Sequence, residues 1–413
     1  MESRLSRRGF FKSAAGGLGL GVVAPYVLTS NALGAASGVP ASERVGVGNI
    51  GINWMGGDHL GYFAHHNEFP TVAVCDVDRN NLDKAKARVG DYCKAYKDYR
   101  DLLDDKDVDA VVIAVPDHWH AIIAVHAAQA GKDIYCEKPL SLTIREARAM
   151  VNAVRRYGRV FQTGSQQRSE GNFRLACELV RSGRIGKVLT VHVSVGGPSG
   201  DCYLPAEPTP EGLDWNMWIG PAPYRPFNKA IHPVNWRNFR DYSGGGMTDW
   251  GAHHFDIAQW GLGMDESGPI EIIPPDGNER KMLTFKYANG VEMYHGGGAN
   301  GVLFTGTDGK IEVNRGYFRT WPEEIGKTPL GPGDVHLYNS NNHRGDWQRC
   351  VRIRQRPICD VEVGCRSVTV CHLGNIAYWL KRPIKWDPVK EEIIGDEAAS
   401  RRLDRPKRAP WTL

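Results

Sequence analysis

Apolar and polar positions fall into two regimes along the chain. From 43 to 163, short β-branched and apolar runs alternate with stretches at helical spacing. The segments 43–48, 71–75, 110–115, 133–136 and 159–163 read as strands, with helices over 81–89, 120–130 and 144–157 between them. Gly131 stands where a helix is expected to stop. Strands separated by helices predict right-handed crossovers and a doubly wound parallel sheet. Ligands of such sheets sit beyond the C-terminal strand ends, which places 46–51, Asp76, 116–120, 137–139 and 164–167 on one rim.

Beyond Thr163 the pattern changes. A helix over 172–182 precedes a strand over 187–195, and a Pro/Gly/Trp-rich passage fills 196–242. Gly244-Gly245-Gly246 leads into a helix over 248–261. Two hairpins are marked by turn dipeptides. The segment 282–287 returns through Asn289-Gly290 into 291–295, and 302–307 returns through Asp308-Gly309 into 310–314. Helices near 346–355 and 367–381 complete the second region. The expected layout is an α/β Rossmann domain over 39–164, then an α+β domain with a large open, mostly antiparallel sheet over 165–390. A basic tail over 391–413 ends the chain.

Composition narrows the function classes. The 413 residues are 41% apolar and 24% charged, which is globular and argues against disorder or coiled coil. The net charge of +4 gathers at the ends, in Arg4, Arg7, Arg8 and Lys12 and in a C-terminal run from Arg401 to Arg408. The bulk of the chain lacks the broad basic face that a nucleic acid requires. Nine cysteines without a C-x-x-C pair argue against a disulfide framework or a cysteine zinc site. Residues 6–12, Ser-Arg-Arg-Gly-Phe-Phe-Lys, precede a short apolar stretch and then small residues, which resembles a twin-arginine signal. The apolar stretch falls short of the roughly 20 residues that span a bilayer. Residues 1–38 are expected to be an export signal and linker read by the twin-arginine machinery, leaving the mature chain periplasmic or otherwise exported. An uncleaved anchor is the alternative.

Gly46-Val-Gly48-Asn49-Ile50-Gly51 follows the first strand, and Asp76 ends the second. Glycines at such a turn let the backbone approach a pyrophosphate, and the acid can accept from ribose hydroxyls. An acid there repels a 2′-phosphate, which favours NAD, while Arg79 keeps NADP open. Asp249 and His253 are four apart and share a helix face. A carboxylate beside an imidazole suits proton transfer. The same spacing fits an ordinary helix start with a solvent-facing histidine. Lys138, ahead of Pro139, sits at the mouth of the parallel sheet, where an ammonium can meet an alcohol oxygen; a surface lysine at a strand end is the alternative.

Four motifs now stand in order: Gly46-Val-Gly-Asn-Ile-Gly51, Pro116-Asp-His-Trp-His120, Glu137-Lys138-Pro139, and Gly244-Gly-Gly-Met-Thr-Asp249-Trp-Gly-Ala-His253. Together they resemble the glucose–fructose oxidoreductase and inositol dehydrogenase family (Gfo/Idh/MocA) over about 43–386. The resemblance implies that Lys138, Asp249 and His253 act on a substrate hydroxyl. His253, polarised by Asp249, takes the proton, and Lys138 holds the alkoxide. Cofactor contacts are expected from Gly46, Gly48, Asn49, Ile50 and Gly51, from Asp76 and Arg79, and from Pro116, Asp117, His120, Glu137, Lys138 and Gln166. No metal is expected, since His118 and His120 fall in a motif that the family uses around the nicotinamide. Candidates for sugar contact are Arg168, Trp236, Arg237, Tyr242, Trp250, His254 and His343, although Trp236 and Trp250 also read as core anchors.

The expected activity is that of an exported NAD(P)-dependent oxidoreductase on a sugar or glycoside secondary alcohol. Its cofactor should stay tightly held, since no nicotinamide pool exists outside the cytoplasm. The alternatives are an NAD-dependent glycoside hydrolase or lyase using transient oxidation, and a catalytically silent sugar-binding homologue. A homodimer or homotetramer through the open sheet is expected.

Overall fold

In a computed structural model of the protein, residues 38–297 and 301–413 are described. The segment read as an export signal lies on residues 1–37, outside them. Residues up to Arg44 make a unit of their own, of which a 3-10 turn, Ala41–Glu43, is described. Residues 45–413 form the second unit, which holds both sheets.

Strands β1 (Val47–Ile50), β2 (Thr71–Cys75), β3 (Lys94–Tyr96), β4 (Ala110–Ile113), β5 (Asp133–Cys136) and β6 (Phe161–Thr163) form one sheet, in the order β3-β2-β1-β4-β5-β6. Every pairing is parallel, as the alternating pattern predicts. The edge strand β3 goes unannounced because it is three residues long and carries exposed Lys94 and Ala95. Local chemistry starts the helices where the spacing expects them. Thr143 and Glu146 form a capping box on helix Ile144–Arg156, whose Ile144, Ala147, Met150, Val151 and Val154 make one buried stripe. Asp78 caps helix Arg79–Val89 by accepting from Asn80 N.

The second sheet contains β7 (Val188–Ser194), β8 (Glu271–Ile273), β9 (Leu283–Lys286), β10 (Glu292–His295), β11 (Gly301–Gly306), β12 (Lys310–Asn314), β13 (Tyr317–Trp321), β14 (Ile384–Asp387) and β15 (Glu392–Ile393). Its order is β13-β12-β11-β7-β10-β9-β8-β14-β15, and only β7 and β10 pair in parallel. Both expected hairpins form, with Lys286 opposite Glu292 and Thr305 opposite Lys310. Along β7, Val191 and Val193 face the core while Thr190 and His192 between them are half-buried, so one face is packed and the other is more open.

Two helices from the C-terminal half tie the sheets together. Trp347, on helix His343–Ile353, is fully buried against Val47, Phe63, Phe69, Val112 and Tyr135 of the first sheet's layers. Helix Val361–Leu380 places Val361, Cys365 and Val368 in the first core and Val370, Leu373 and Ile376 in the second. Its buried His372 is hydrogen-bonded through Nε2 to the Ser141 carbonyl at 3.0 Å, and its buried Asn375 through Nδ2 to the Gly244 carbonyl at 2.8 Å. The terminal segment is also packed. Trp411 stands edge-on to Trp119 at 4.7 Å, and Arg408 Nε donates to the Gly220 carbonyl at 2.8 Å.

Candidate functional site

The chain leaves β1 at Ile50 and turns through 51–54 into helix Met55–Phe63. Gly51 has φ of +80°, and a Cβ there would lie 2.5 Å from the Ala114 carbonyl oxygen. A Cβ on Gly56 would lie 2.0 Å from the Gly51 oxygen. Only glycine suits either position. The working turn is therefore Gly51-Ile-Asn53-Trp-Met-Gly56, five residues later than the expected fingerprint. This corrects the roles of Gly46, Gly48 and Asn49, none of which lines the cavity that the turn borders. A Cβ on Gly46 would meet the Asp107 oxygen at 2.0 Å and one on Gly48 would meet Leu102 at 2.7 Å, so both are small for packing against the sheet's neighbours. Asn49 is buried and donates to Thr71 Oγ1 at 2.9 Å. Asn53 at the middle glycine position hid the true spacing.

Between this turn and the elements of 214–253 lies a cavity of about 830 Å³. Ile50, Gly51, Asp76, Pro116, Asp117, Glu137, Lys138 and Gln166 line it. Asp76 Oδ2 accepts from Ile52 N at 2.9 Å and Oδ1 from Asp78 N at 2.8 Å, so the half-buried carboxylate is tied to the turn. Tyr99, Val115, Trp119 and Ile123 add apolar wall. Trp54, with φ of +45°, keeps its indole 65% exposed at the cavity, under the Arg237 guanidinium at 5.9 Å. A non-glycine residue at such φ carries backbone strain, which collects at functional sites. Arg79 and His120 are not on the wall. Arg79 is exposed beside Asp83, and His120 is buried, its Nδ1 donating to the Pro139 carbonyl at 2.8 Å. The close turn, the anchored acid and the apolar wall fit a dinucleotide.

Lys138 Nζ lies 2.6 Å from Asp249 Oδ1 and donates to the Asp249 carbonyl at 3.0 Å. Arg237 Nε is 3.5 Å from the same carboxylate oxygen. Burial pushes the Asp249 carboxyl up, but Lys138 and Arg237 together hold it below the usual range. The helix expected over 248–261 is broken into Gly246–Asp249 and Gly251–Leu262, with Trp250 at the junction. Asp249 accordingly does not orient His253; its carboxylate belongs to the lysine, and His253 Nδ1 is buried without a partner among the described residues. Burial first, then the charges of Lys138 and Arg315, push the imidazole well below its ordinary pKa, so it is neutral. Glu137 is fixed from outside the cavity. Arg344 Nε donates to His59 Nδ1 at 3.0 Å, which leaves the His59 Nε2 proton for Glu137 at 2.9 Å.

Of the expected sugar contacts, Trp236, Arg237 and Trp250 line the cavity. The other four do not. Arg168 is fully buried between Asp256 at 2.8 Å and Asp265 at 2.7 Å, a cation neutralised inside the protein. Tyr242 is fully buried against His118 and Trp218. His254 stacks on Trp250 and is buried on the helix's inner side. His343 is spent on Ser169 Oγ at 2.8 Å and the Thr163 carbonyl at 2.9 Å. Sequence reasoning missed Trp54, Arg315 and Glu170, all on the wall. Arg315 sits in a hairpin turn whose position in space no local pattern reveals.

The match "Oxidoreductase family, NAD-binding Rossmann fold" covers residues 45–165, and "Oxidoreductase family, C-terminal alpha/beta domain" covers 174–413. The inositol 2-dehydrogenase of Salmonella typhimurium is 35% identical over 147 residues, 35% of this chain and 44% of that protein. The levoglucosan dehydrogenase of Pseudarthrobacter phenanthrenivorans is 30% identical over 229 residues, 54% of this chain and 52% of that protein. The chain thus spans about half the length of these curated relatives. The crystal structure of the WlbA dehydrogenase from Bordetella pertussis in complex with NADH and UDP-GlcNAcA has a TM-score of 0.61 at 17% identity. That likeness covers 83% of this chain and 99% of that one, and it is a likeness of fold.

Proposed function

The chain belongs to the Gfo/Idh/MocA family of oxidoreductases, and we propose that it moves a hydride between a secondary alcohol of a sugar or glycoside and a retained nicotinamide dinucleotide. One observation carries this reading: the Lys138–Asp249 pair and the His253 imidazole line the same cavity as the Gly51–Gly56 turn and Asp76. The turn and the first helix receive the pyrophosphate, and Asp76 faces the ribose hydroxyls. NAD is favoured over NADP, because a 2′-phosphate would meet the Asp76 carboxylate while Arg79 stays outside the cavity. When bound, the dinucleotide supplies the hydride acceptor.

The residues of this chain handle the proton. His253, neutral in its buried setting, takes the proton from the alcohol oxygen. Lys138 donates to that oxygen as negative charge develops there, and Asp249 keeps the ammonium aimed. Trp236 and Trp250 offer indole faces to the sugar ring. Export rests on the paired arginines of 6–12, and an enzyme outside the cytoplasm must reset one retained cofactor in every cycle. The open face of the nine-stranded sheet is the proposed surface for a dimer or tetramer.

The test is to purify the enzyme, identify the nucleotide released on denaturation by mass spectrometry, and follow nicotinamide absorbance on adding sugars. NAD in near-equal amount and a lasting absorbance rise are expected. Net glycoside hydrolysis without lasting reduction would move the assignment to a hydrolase. Absence of nucleotide and of any response would leave a binding protein.

A further inference from the structure

We propose that the sugar taken by this site carries a carboxylate and that Arg315 is the residue that reads it, an inference that rests on the hydride-transfer reading above. Arg315 and Gly316 form the turn between β12 and β13, and Gly316 takes φ of +80° there. Among the described residues, Arg315 is the one side chain that the nine-stranded sheet itself contributes to the cavity wall. Its guanidinium lies 4.9 Å over the Trp250 ring. The buried Gln167 amide, oriented to satisfy both neighbours, accepts from Arg315 Nε at 3.2 Å and donates to the His253 carbonyl at 3.0 Å. One edge of the guanidinium is thereby registered against the backbone of the residue that takes the proton. Its two terminal nitrogens have no partner among the described residues.

Charge accounting singles out the same residue. Lys138 and Arg237 share the one Asp249 carboxylate. Glu170 lines the same cavity and feels the Arg315 charge, but no direct ion pair joins the two among the described residues. Arg315 is therefore a cation without a direct ion-pair partner among the described residues, positioned by an aromatic face and a buried amide beside the His253 imidazole. A planar fork with two free N–H groups matches a carboxylate in bidentate fashion. A phosphate can meet the same fork, and the sugar phosphates in the experiment separate it from a carboxylate. The dinucleotide's own phosphates are accounted for by the Gly51–Gly56 turn.

The experiment compares matched pairs on the holoenzyme by nicotinamide absorbance: methyl glucuronide against methyl glucoside, the galacto and manno equivalents, and the corresponding sugar phosphates. The expected result is a uronate whose kcat/KM exceeds that of its neutral partner by about 30-fold or more, the scale of a hydrogen-bonded charge. Arg315→Gln should bring that ratio towards unity, mainly through KM, with thermal stability and bound nucleotide retained. Arg315→Lys should restore only part of the ratio, since an ammonium lacks the fork. Equal or better turnover of the neutral sugars, a preference for the phosphates, or a ratio unmoved in Arg315→Gln would each overturn the proposal while hydride transfer stands. Silence with every pair would instead refute the hydride-transfer reading, and this inference with it.

Discussion

The two sheets contribute to the cavity in unequal ways. All six strands of the first run in one direction, so the chain leaving β1, β2, β4, β5 and β6 reaches a single edge. Gly51, Asp76, Pro116, Lys138 and Gln166 gather there as a consequence of topology. In the nine-stranded sheet neighbouring strands mostly alternate in direction, and among the described residues only the β12–β13 turn sends a side chain, Arg315, into the wall. The rest of that side comes from 217–237, from Asp249 and Trp250, and from His253 on the helix packed against the sheet. The proposed cofactor side is thus built by strand direction, and the proposed substrate side by loops that the sheet merely carries.

Four measurements probe this division of labour. The largest effect is expected from His253→Ala, which should lower kcat by roughly 10²–10⁴ and leave nucleotide content unchanged. Loss of bound nucleotide alongside turnover would show that the two sides are not separable. Next is Arg168→Ala, which strands Asp256 and Asp265 without their cation and should cost about 3–5 kcal/mol in chemical denaturation. The KM of the folded fraction should stay where it was; a marked rise would return Arg168 to the substrate side. Gly56→Ala, which drives a Cβ into the Gly51 oxygen, should weaken nucleotide binding by about ten- to a hundredfold in calorimetry, a change of roughly 1.4–2.8 kcal/mol. Affinity equal to that of the parent would remove this turn from the binding site. The smallest shift concerns the His253 proton. Because burial and neighbouring cations disfavour the imidazolium, its ring nitrogens should titrate well below 6.5 by NMR, and Arg315→Gln should raise that midpoint. A midpoint at or above 6.5 in the parent would mean that burial does not keep this imidazole neutral.

Much of the first half was legible because its signals are local. The apolar runs of β4 and β5 and the Thr143–Glu146 capping box mark their elements to within a few residues. The glycine turn was misplaced because Gly46 and Gly48 satisfy the fingerprint's spacing while serving packing, and Asn53 breaks the true pattern. On the other side, Asp249 and His253 have the spacing of one helix face, yet a break at Trp250 and a lysine from the first sheet separate their roles. Arg168 and His343 look like ligand contacts in sequence because charge and ring nitrogen are visible there, whereas Asp256, Asp265 and Ser169 as their partners are not.

Periodicity was written into the chain: which segments are strands or helices, that the first sheet is parallel, and hence where its loops converge. Those properties depend on residues near one another in sequence, through dihedral preference, capping and the burial of one face. Which polar groups face the cavity, and which are consumed inside, was settled by packing across the whole molecule. An ion pair such as Lys138–Asp249 joins positions 111 residues apart, and it forms only because the packed core brings the two sheets together.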